Sequence, residues 1–291
     1  MSPTWDPGQY LKFGEERTQP AMDLVHRIAL EAPATIIDVG CGPGNSTEVL
    51  RRRWPAAHVT GLDNSEPMIR EAQRAYPLGT WVLGDAAHMD VSQRYDLVFS
   101  NAVLQWVPNH AQLIPDLLAR VAPRGALAVQ VPANWGSPLH QALLAAAAAE
   151  PFDAHVAGCR DLLAYHEPAF YYDLLAPRST RLALWETTYY HELADHRGLI
   201  EWYKGSGMRP YLQALPDDAL RQAFEAAVLE RAQPGYGPSA EAGSSIPSAA
   251  CSLLPTGDPA TALGAGESDC GRPICYAYPR LCPQERIPFQ C

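Results

Sequence analysis

The chain has 291 residues, of which 47% are apolar and 19% charged, and its net charge is −10. That size and apolar share suit one large soluble core with an appended lid. The acidic balance argues against a nucleic-acid substrate, which favours a basic face. The longest strongly apolar stretch, Leu139 to Ala149, is too short to span a membrane, and no basic segment leads an apolar core at the start, so the expected location is cytoplasmic.

In chain order, residues 1–34 are expected to form a helical segment, with Pro20 opening a helix that continues to Ile28. The run Ile36-Ile37-Asp38-Val39 reads as a first strand. A dense turn, Gly40-Cys41-Gly42-Pro43-Gly44, leads from it into a helix near Ser46–Trp54 that Asn45 or Ser46 can cap. Strand, tight turn and helix N-terminus together present backbone N–H groups to a nucleotide-like ligand. The spacing is G-x-G-x-G, with Asn45 where a dinucleotide fingerprint has its third glycine, and no Gly-Lys-Ser/Thr follows as in a phosphate loop. An S-adenosylmethionine loop remains, in which glycines let the backbone approach a cofactor that carries no phosphate.

Further pieces fall at matching intervals. His58–Asp63 is the second strand and ends in an acid 19 residues beyond Gly44. Such an acid can accept both ribose hydroxyls, or serve only as a turn residue in Asp-Asn-Ser. After a helix near Glu66–Tyr76, the third strand Trp81-Val82-Leu83 delivers Asp85. That carboxylate can accept the amino group of adenine, or act as an ordinary turn aspartate. Tyr95–Asn101 is a fourth strand that carries Asn101 to the cleft. A helix near Asn109–Val121 and a fifth strand, Ala126–Val131, follow.

Ser137 and Pro138 open a helix that runs through a row of alanines to Glu150. Arg181–Tyr190 reads as a sixth strand, and helical segments near His196–Lys204 and Asp217–Ala232 follow as an insertion able to cover the site. The alternation predicts an α/β fold with a doubly wound, mostly parallel sheet and its ligand at the carboxyl ends of the strands. The chain divides into a helical lid segment (1–34), a cofactor-binding core (35–190), a helical insertion (191–232) and a tail (233–291). The tail is rich in Pro, Gly, Ser and Ala, holds five of the seven cysteines, and is expected to be disordered. Cys251, Cys270, Cys275, Cys282 and Cys291 include no C-x₂-C pair and no histidine lies among them, so no metal site is expected.

The chain is similar to the bacterial trans-aconitate 2-methyltransferases. The similarity lies in Trp5-Asp6-Pro7-Gly8-Gln9-Tyr10, Cys41-Gly42-Pro43-Gly44-Asn45-Ser46-Thr47, Ser100-Asn101-Ala102-Val103-Leu104-Gln105-Trp106 and Val129-Gln130-Val131-Pro132-Ala133-Asn134-Trp135. It continues in Phe170-Tyr171-Tyr172-Asp173, Trp185-Glu186-Thr187-Thr188-Tyr189-Tyr190-His191, and Trp202 with Gly205, Arg209 and Pro210, so that it covers about residues 5 to 232. The resemblance implies a Rossmann-like class I methyltransferase. Such an enzyme transfers the methyl group of S-adenosylmethionine to one carboxylate of trans-aconitate or a similar small polycarboxylate.

It further implies a cofactor set of Asp38, Gly40, Gly42, Gly44, Asp63, Asn64, Met68, Asp85, Ala86 and Asn101. Tyr10, Arg17, Tyr189, Tyr190, His191 and Arg209 form the implied substrate set. No catalytic base is expected, because a carboxylate is already ionised at neutral pH. Plainer roles are a surface position beside Glu16 for Arg17 and a helix-end carbonyl contact for Arg209. Trp106, Trp135 and Trp202 are expected to pack the lid, and Arg51-Arg52-Arg53 to form a solvated helix face.

Two departures stand out. Gln19 replaces an arginine of the family's Arg-x-Arg-Pro run, and the family's last antiparallel strand is not visible in the tail. The rival readings are a methyltransferase for another acid, an amine or a hydroxyl, and a cofactor-binding product inactivated by its ending.

Overall fold

The computed structural model describes residues 5–237 and 247–253. Two helices, α1 (Pro7–Leu11) and α2 (Gly14–His26), precede the alternating part. That part runs β1 (Thr35–Val39), α3 (Asn45–Arg53), β2 (His58–Asp63), α4 (Glu66–Ala75), β3 (Thr80–Leu83), β4 (Tyr95–Asn101), α5 (His110–Leu118) and β5 (Val121–Pro132). Then come α6 (Pro138–Ala147), α7 (Asp153–Val156), α8 (Pro168–Leu175), β6 (Leu184–Tyr190), α9 (Arg197–Lys204), α10 (Arg209–Ala214), α11 (Asp218–Ala232) and β7 (Pro247–Leu253).

The seven strands lie in the order β3-β2-β1-β4-β5-β7-β6. The first five pair in parallel, and β7 runs antiparallel between β5 and β6. The chain leaves β1 toward β2 on one side and returns to β4 on the other. The cleft at the carboxyl ends of β1 and β4 is therefore the switch point where such sheets bind ligands.

Successive strand residues point to opposite faces, which builds two cores from one sheet. Ile36, Leu97, Phe99, Ala126 and Ala128 pack under Ala21, Leu24 and Val25 of α2 and Leu50 of α3. Ile37, Val98, Leu127 and Val129 face Leu113, Ile114 and Leu117 of α5 and Tyr171 and Leu175 of α8. A third cluster belongs to the helical layer. Leu139, Leu143 and Ala146 of α6 meet Leu199 and Tyr203 of α9, Tyr211 of α10 and Phe224 and Val228 of α11. This layer thus draws on α6 as well as on residues 191–232. As the sequence suggests, Ser137 caps α6 by accepting from the His140 N–H, with Pro138 in the first turn.

Three expectations need correction. The helix expected to open at Pro20 begins at Gly14 and carries Pro20 inside it. A proline there removes one hydrogen bond. Tertiary anchors on the first turn outweigh that loss: Arg17 Nη2 donates to the Trp202 carbonyl at 2.8 Å, and Asn45 Nδ2 donates to Thr18 Oγ1 at 3.2 Å. Neither Asn45 nor Ser46 caps α3; Gly44 holds the cap position at φ 96°, and Ser46 turns its hydroxyl inward.

The third correction concerns the tail. A final strand does follow residue 232, because Pro247–Leu253 pairs Val131 with Cys251 on one side and Thr187 with Ala250 on the other. Pro247, Ala249, Cys251 and Leu253 do alternate with Ser248, Ala250 and Ser252, but the run is short and its residues are small and weak strand formers, so it does not stand out from a tail rich in Pro, Gly, Ser and Ala. Residues 233–237 are also placed, with the Tyr236 hydroxyl accepting from the Leu139 N–H at 3.3 Å; residues 238–246 and 254–291, with Cys270, Cys275, Cys282 and Cys291, lie outside the described residues. The solvated-face reading of Arg51–Arg53 agrees with the ion pairs of Arg51 and Arg52 to Glu48 on the outer side of α3.

Ending the chain at Gln233 removes a strand bonded on both sides. At about 0.5–1.5 kcal/mol per net hydrogen bond, the expected cost exceeds about 2 kcal/mol and shows as a lower melting temperature. An unchanged thermal melt means that β7 contributes nothing to stability.

Candidate active site

The turn after β1 needs left-handed backbone at three places, and each holds a glycine: φ is 75° at Gly40, 54° at Gly42 and 96° at Gly44. A Cβ on Gly40 would lie 2.4 Å from the Val103 side chain, and one on Gly44 would lie 2.8 Å from Trp81. At Gly42 nothing stands within 4 Å, so its bare Cα faces open cavity. The loop is tied to β2 by Gly40 N–H and Cys41 N–H, which both donate to the Leu62 carbonyl, at 2.7 and 3.0 Å.

Two carboxylates hold this turn in place. Asp38, 0% exposed, accepts through Oδ2 from the hydroxyls of Ser46 and Thr47, both at 2.6 Å. Burial pushes its carboxyl up to about 6 against the pull of those two donors. Asp63, 8% exposed, accepts from the Gly42 N–H at 2.9 Å through Oδ2 and from the Ser65 N–H at 2.8 Å through Oδ1. Burial raises its carboxyl too, and those two backbone donors oppose the rise. Each Asp63 oxygen keeps acceptor capacity on the cavity side.

The cavity over the turn is lined by Gly40, Gly42, Asp63, Asn64, Met68, Asp85, Ala86 and Asn101 of the expected cofactor set. Gly44 and Asp38 stand behind this wall. Asp85 caps the short turn Ala86–His88 by accepting from the Ala87 N–H at 2.9 Å. The Oδ1 atoms of Asn101 and Asp38 are buried and meet no donor among the described residues.

These features fit an S-adenosyl cofactor. Gly42 leaves room for close approach, Asp63 offers a fixed pair of acceptors for vicinal hydroxyls, and the buried Asn101 amide lacks a partner for its oxygen. Among the described residues no cluster of three or more His, Cys, Asp or Glu could hold a metal ion.

The same cavity is also lined by Trp5, Tyr10, Arg17, Trp106 and Arg209. Arg17 lies over the Tyr10 ring at 4.5 Å and the Trp202 ring at 5.0 Å. Arg209, 6% exposed, lies 3.5 Å over Trp5 and 5.1 Å over Trp106. Burial lowers both guanidinium groups, Arg209 to about 10, so both stay cationic at neutral pH.

The other three expected substrate contacts do not line this cavity. Tyr189 donates to Asp23 at 2.7 Å, Tyr190 is 74% exposed, and His191 packs on Trp202 at 4.5 Å. Tyr189 and Tyr190 end β6 and His191 follows it, on the edge strand beyond β7 and away from the β1–β4 switch point. Gln19 is also outside the cavity, where it donates to Asp23, so the missing arginine takes no charge from this wall. Trp106, expected only to pack the lid, instead forms cavity wall, as do Trp5 and Val103. These come from irregular segments where hydrophobic periodicity carries no signal; only the family resemblance touches them.

Residues 13–200 match the family model described as "Methyltransferase domain". Over 229 residues the chain is 45% identical to the trans-aconitate 2-methyltransferase of Azoarcus sp. (strain BH72), covering 78% of this chain and 90% of that protein. The enzyme of the same name from Rhodopseudomonas palustris (strain BisB18) is 44% identical, over 81% and 93%. The chain belongs to the trans-aconitate 2-methyltransferase family. It is an S-adenosylmethionine-dependent methyltransferase of the Rossmann-like class. The fold is shared with a chain of the complex between the Haloferax volcanii Trm112 methyltransferase activator and the putative methyltransferase. The two are 16% identical with a TM-score of 0.52, over 86% of this chain and 95% of that one. Among the described residues of this family member, no helix is long and apolar enough to cross a membrane.

Asp63→Ala removes the acceptor pair and also releases the Gly42 N–H. Hydrogen bonds to charged groups are worth about 1.5–3 kcal/mol, so S-adenosylhomocysteine affinity is expected to fall roughly tenfold to hundredfold in titration calorimetry. Unchanged affinity removes Asp63 from the site.

Proposed function

We propose that this chain methylates one carboxylate of trans-aconitate and releases the monomethyl ester. The names of relatives 41–45% identical support that choice of acid. The observation that carries the reading is the pair Arg17 and Arg209 in the wall of the cavity that the glycine turn also lines. Two planar forks suit two carboxylates and leave the third to react. Other small polycarboxylates with the same spacing fit this reasoning. An amine substrate does not, since two buried cations repel a protonated amine. A hydroxyl needs a base; the described cavity wall holds no histidine or lysine, its carboxylates Asp63 and Asp85 are assigned to the cofactor, and burial moves the Tyr10 phenol upward, further from ionisation.

When bound, S-adenosylmethionine supplies the activated methyl group. The protein's own residues bind and orient. Asp63, Asn64 and Asn101 hold the cofactor end, and Arg17 and Arg209 fix the two spectator carboxylates. The aromatic wall of Trp5, Tyr10 and Trp106 excludes water. The reacting carboxylate is already an anion and the ester has no proton to shed, so no residue is assigned proton transfer. The net charge of −10 argues against a nucleic-acid or anionic-membrane partner.

If Arg209 pairs with a spectator carboxylate, Arg209→Ala strands that charge in a closed pocket. Such truncations cost about 2–5 kcal/mol, expected here as a loss of roughly 30-fold to several thousandfold in kcat/KM for trans-aconitate. Arg209→Lys recovers part of it, because charge returns without the fork. Equal activity in the alanine variant makes Arg209 structural.

The pH dependence follows from the same groups. Arg209 is lowered by burial to about 10, so its cation is present through neutrality and lost as pH rises through that value. The rate is expected to be flat from about pH 6.5 to 8.5 and KM to climb toward pH 10. A rate rising steeply through neutrality, after correction for stability, points instead to base catalysis on an amine or hydroxyl.

A further inference from the structure

Arg209 sits where three distant parts of the chain converge. It is the first residue of the short helix α10, Trp106 stands in the turn after β4, and Trp5 precedes α1. The guanidinium carbon is 3.5 Å from the centroid of the Trp5 ring and 5.1 Å from that of Trp106. The two indoles meet edge to face, with centroids 5.4 Å apart and planes at 87°. Trp5 thus lies between the N-terminal segment and the arginine read above as a carboxylate ligand.

We propose that Trp5 is a positioning residue whose indole face aligns Arg209 against Trp106, so that the carboxylate site is complete only when the N-terminal segment lies over the cavity. The inference rests on the reading of Arg209 under Proposed function. A guanidinium laid on an indole is attracted to the ring face, and its N–H groups then point outward in its own plane. That restricts a long side chain with many rotamers to orientations suited to bidentate pairing. Arg17, by comparison, is also anchored by its bond to the Trp202 carbonyl.

The same segment is held to the helical layer further along. Gln9 Nε2 donates to the Glu201 carbonyl at 2.9 Å, and Lys12 Nζ pairs with the Glu201 carboxylate at 2.8 Å. Seating of α1 on α9 therefore brings Trp5 to Arg209. With the indole in place water is excluded, and a carboxylate–guanidinium pair is stronger in the drier site.

The test is a double-mutant cycle in the full chain: Trp5→Leu and Trp5→Phe, each in the unchanged and in the Arg209→Ala background. KM for trans-aconitate, S-adenosylhomocysteine affinity by calorimetry, and the melting temperature are measured for each. Trp5→Leu is expected to raise KM about five- to thirtyfold, the range of a desolvated cation–π contact, and Trp5→Phe to recover much of that loss. Cofactor affinity should change less than about threefold, and in the Arg209→Ala background Trp5→Leu should add less than about twofold.

Equal losses in both backgrounds overturn the proposal, since Trp5 then acts without Arg209. So does an unchanged KM in Trp5→Leu, or a matching loss of cofactor affinity. An Arg209→Ala variant with unchanged KM overturns the carboxylate reading itself, and this inference with it. An effect of Arg209→Ala without one of Trp5→Leu overturns the inference alone.

Discussion

Two buried carboxylates hold the turn after β1, and the rest of the site depends on that turn. Asp38 takes the hydroxyls of Ser46 and Thr47 from the start of α3, while Asp63 takes the Gly42 and Ser65 N–H groups from either side of β2. Strand, turn and two helix starts are thereby locked to one another. The arrangement has a cost, because burial disfavours both charged forms and the Asp63 charge adds to the rise at Asp38. Such strain is commonly concentrated where a ligand is bound. Here it keeps the bare Cα of Gly42 aimed into the cavity, with an acceptor pair beside it.

The charge distribution runs against the global field. A chain of net charge −10 repels an anionic substrate at long range, and screening limits that repulsion to about 10 Å at ordinary salt. On the proposed function the attraction is local and comes from two arginines in a largely aromatic frame. An aromatic face attracts a guanidinium and offsets part of its desolvation. Tyr10 and Trp202 serve Arg17 in this way, and Trp5 and Trp106 serve Arg209. Each cation is carried by a helix outside the alternating part, Arg17 by α2 and Arg209 by α10. The N-terminal helices and the helical layer meet across the cavity through Gln9, Lys12 and Glu201.

The histidines illustrate how burial removes chemistry as well as adding it. His110 bridges the Tyr171 hydroxyl and the Leu104 carbonyl, and His140 pairs with the Tyr203 hydroxyl. Burial lowers both, so they are neutral hydrogen-bonding parts of the two helical packings and not proton carriers at neutral pH. His110 has a further structural effect, because the Leu104 carbonyl it holds belongs to the turn that carries Trp106.

By itself the sequence determined the parallel half of the sheet and the cofactor end of the site. Alternating apolar runs, a glycine turn, and acids at strand ends are local patterns whose spacing follows from strand length and helix pitch. Asp63, Asp85 and Asn101, which line the cavity, were legible for that reason. Tertiary structure alone decided which of the residues named through the family resemblance, Tyr10, Arg17, Tyr189, Tyr190, His191 and Arg209, share that cavity. Trp5, Trp106 and Arg209 come together from positions about a hundred residues apart, in turns and helix ends with no period to read. Tyr189, Tyr190 and His191 share a strand end with no local sign that it faces away from the cavity. The strand Pro247–Leu253 was hidden likewise, because its alternation is carried by small, weakly strand-forming residues and its place is set by main-chain pairing with two distant neighbours. Local pattern specifies what one segment does with its own backbone, whereas the meeting of segments depends on which faces the whole core buries.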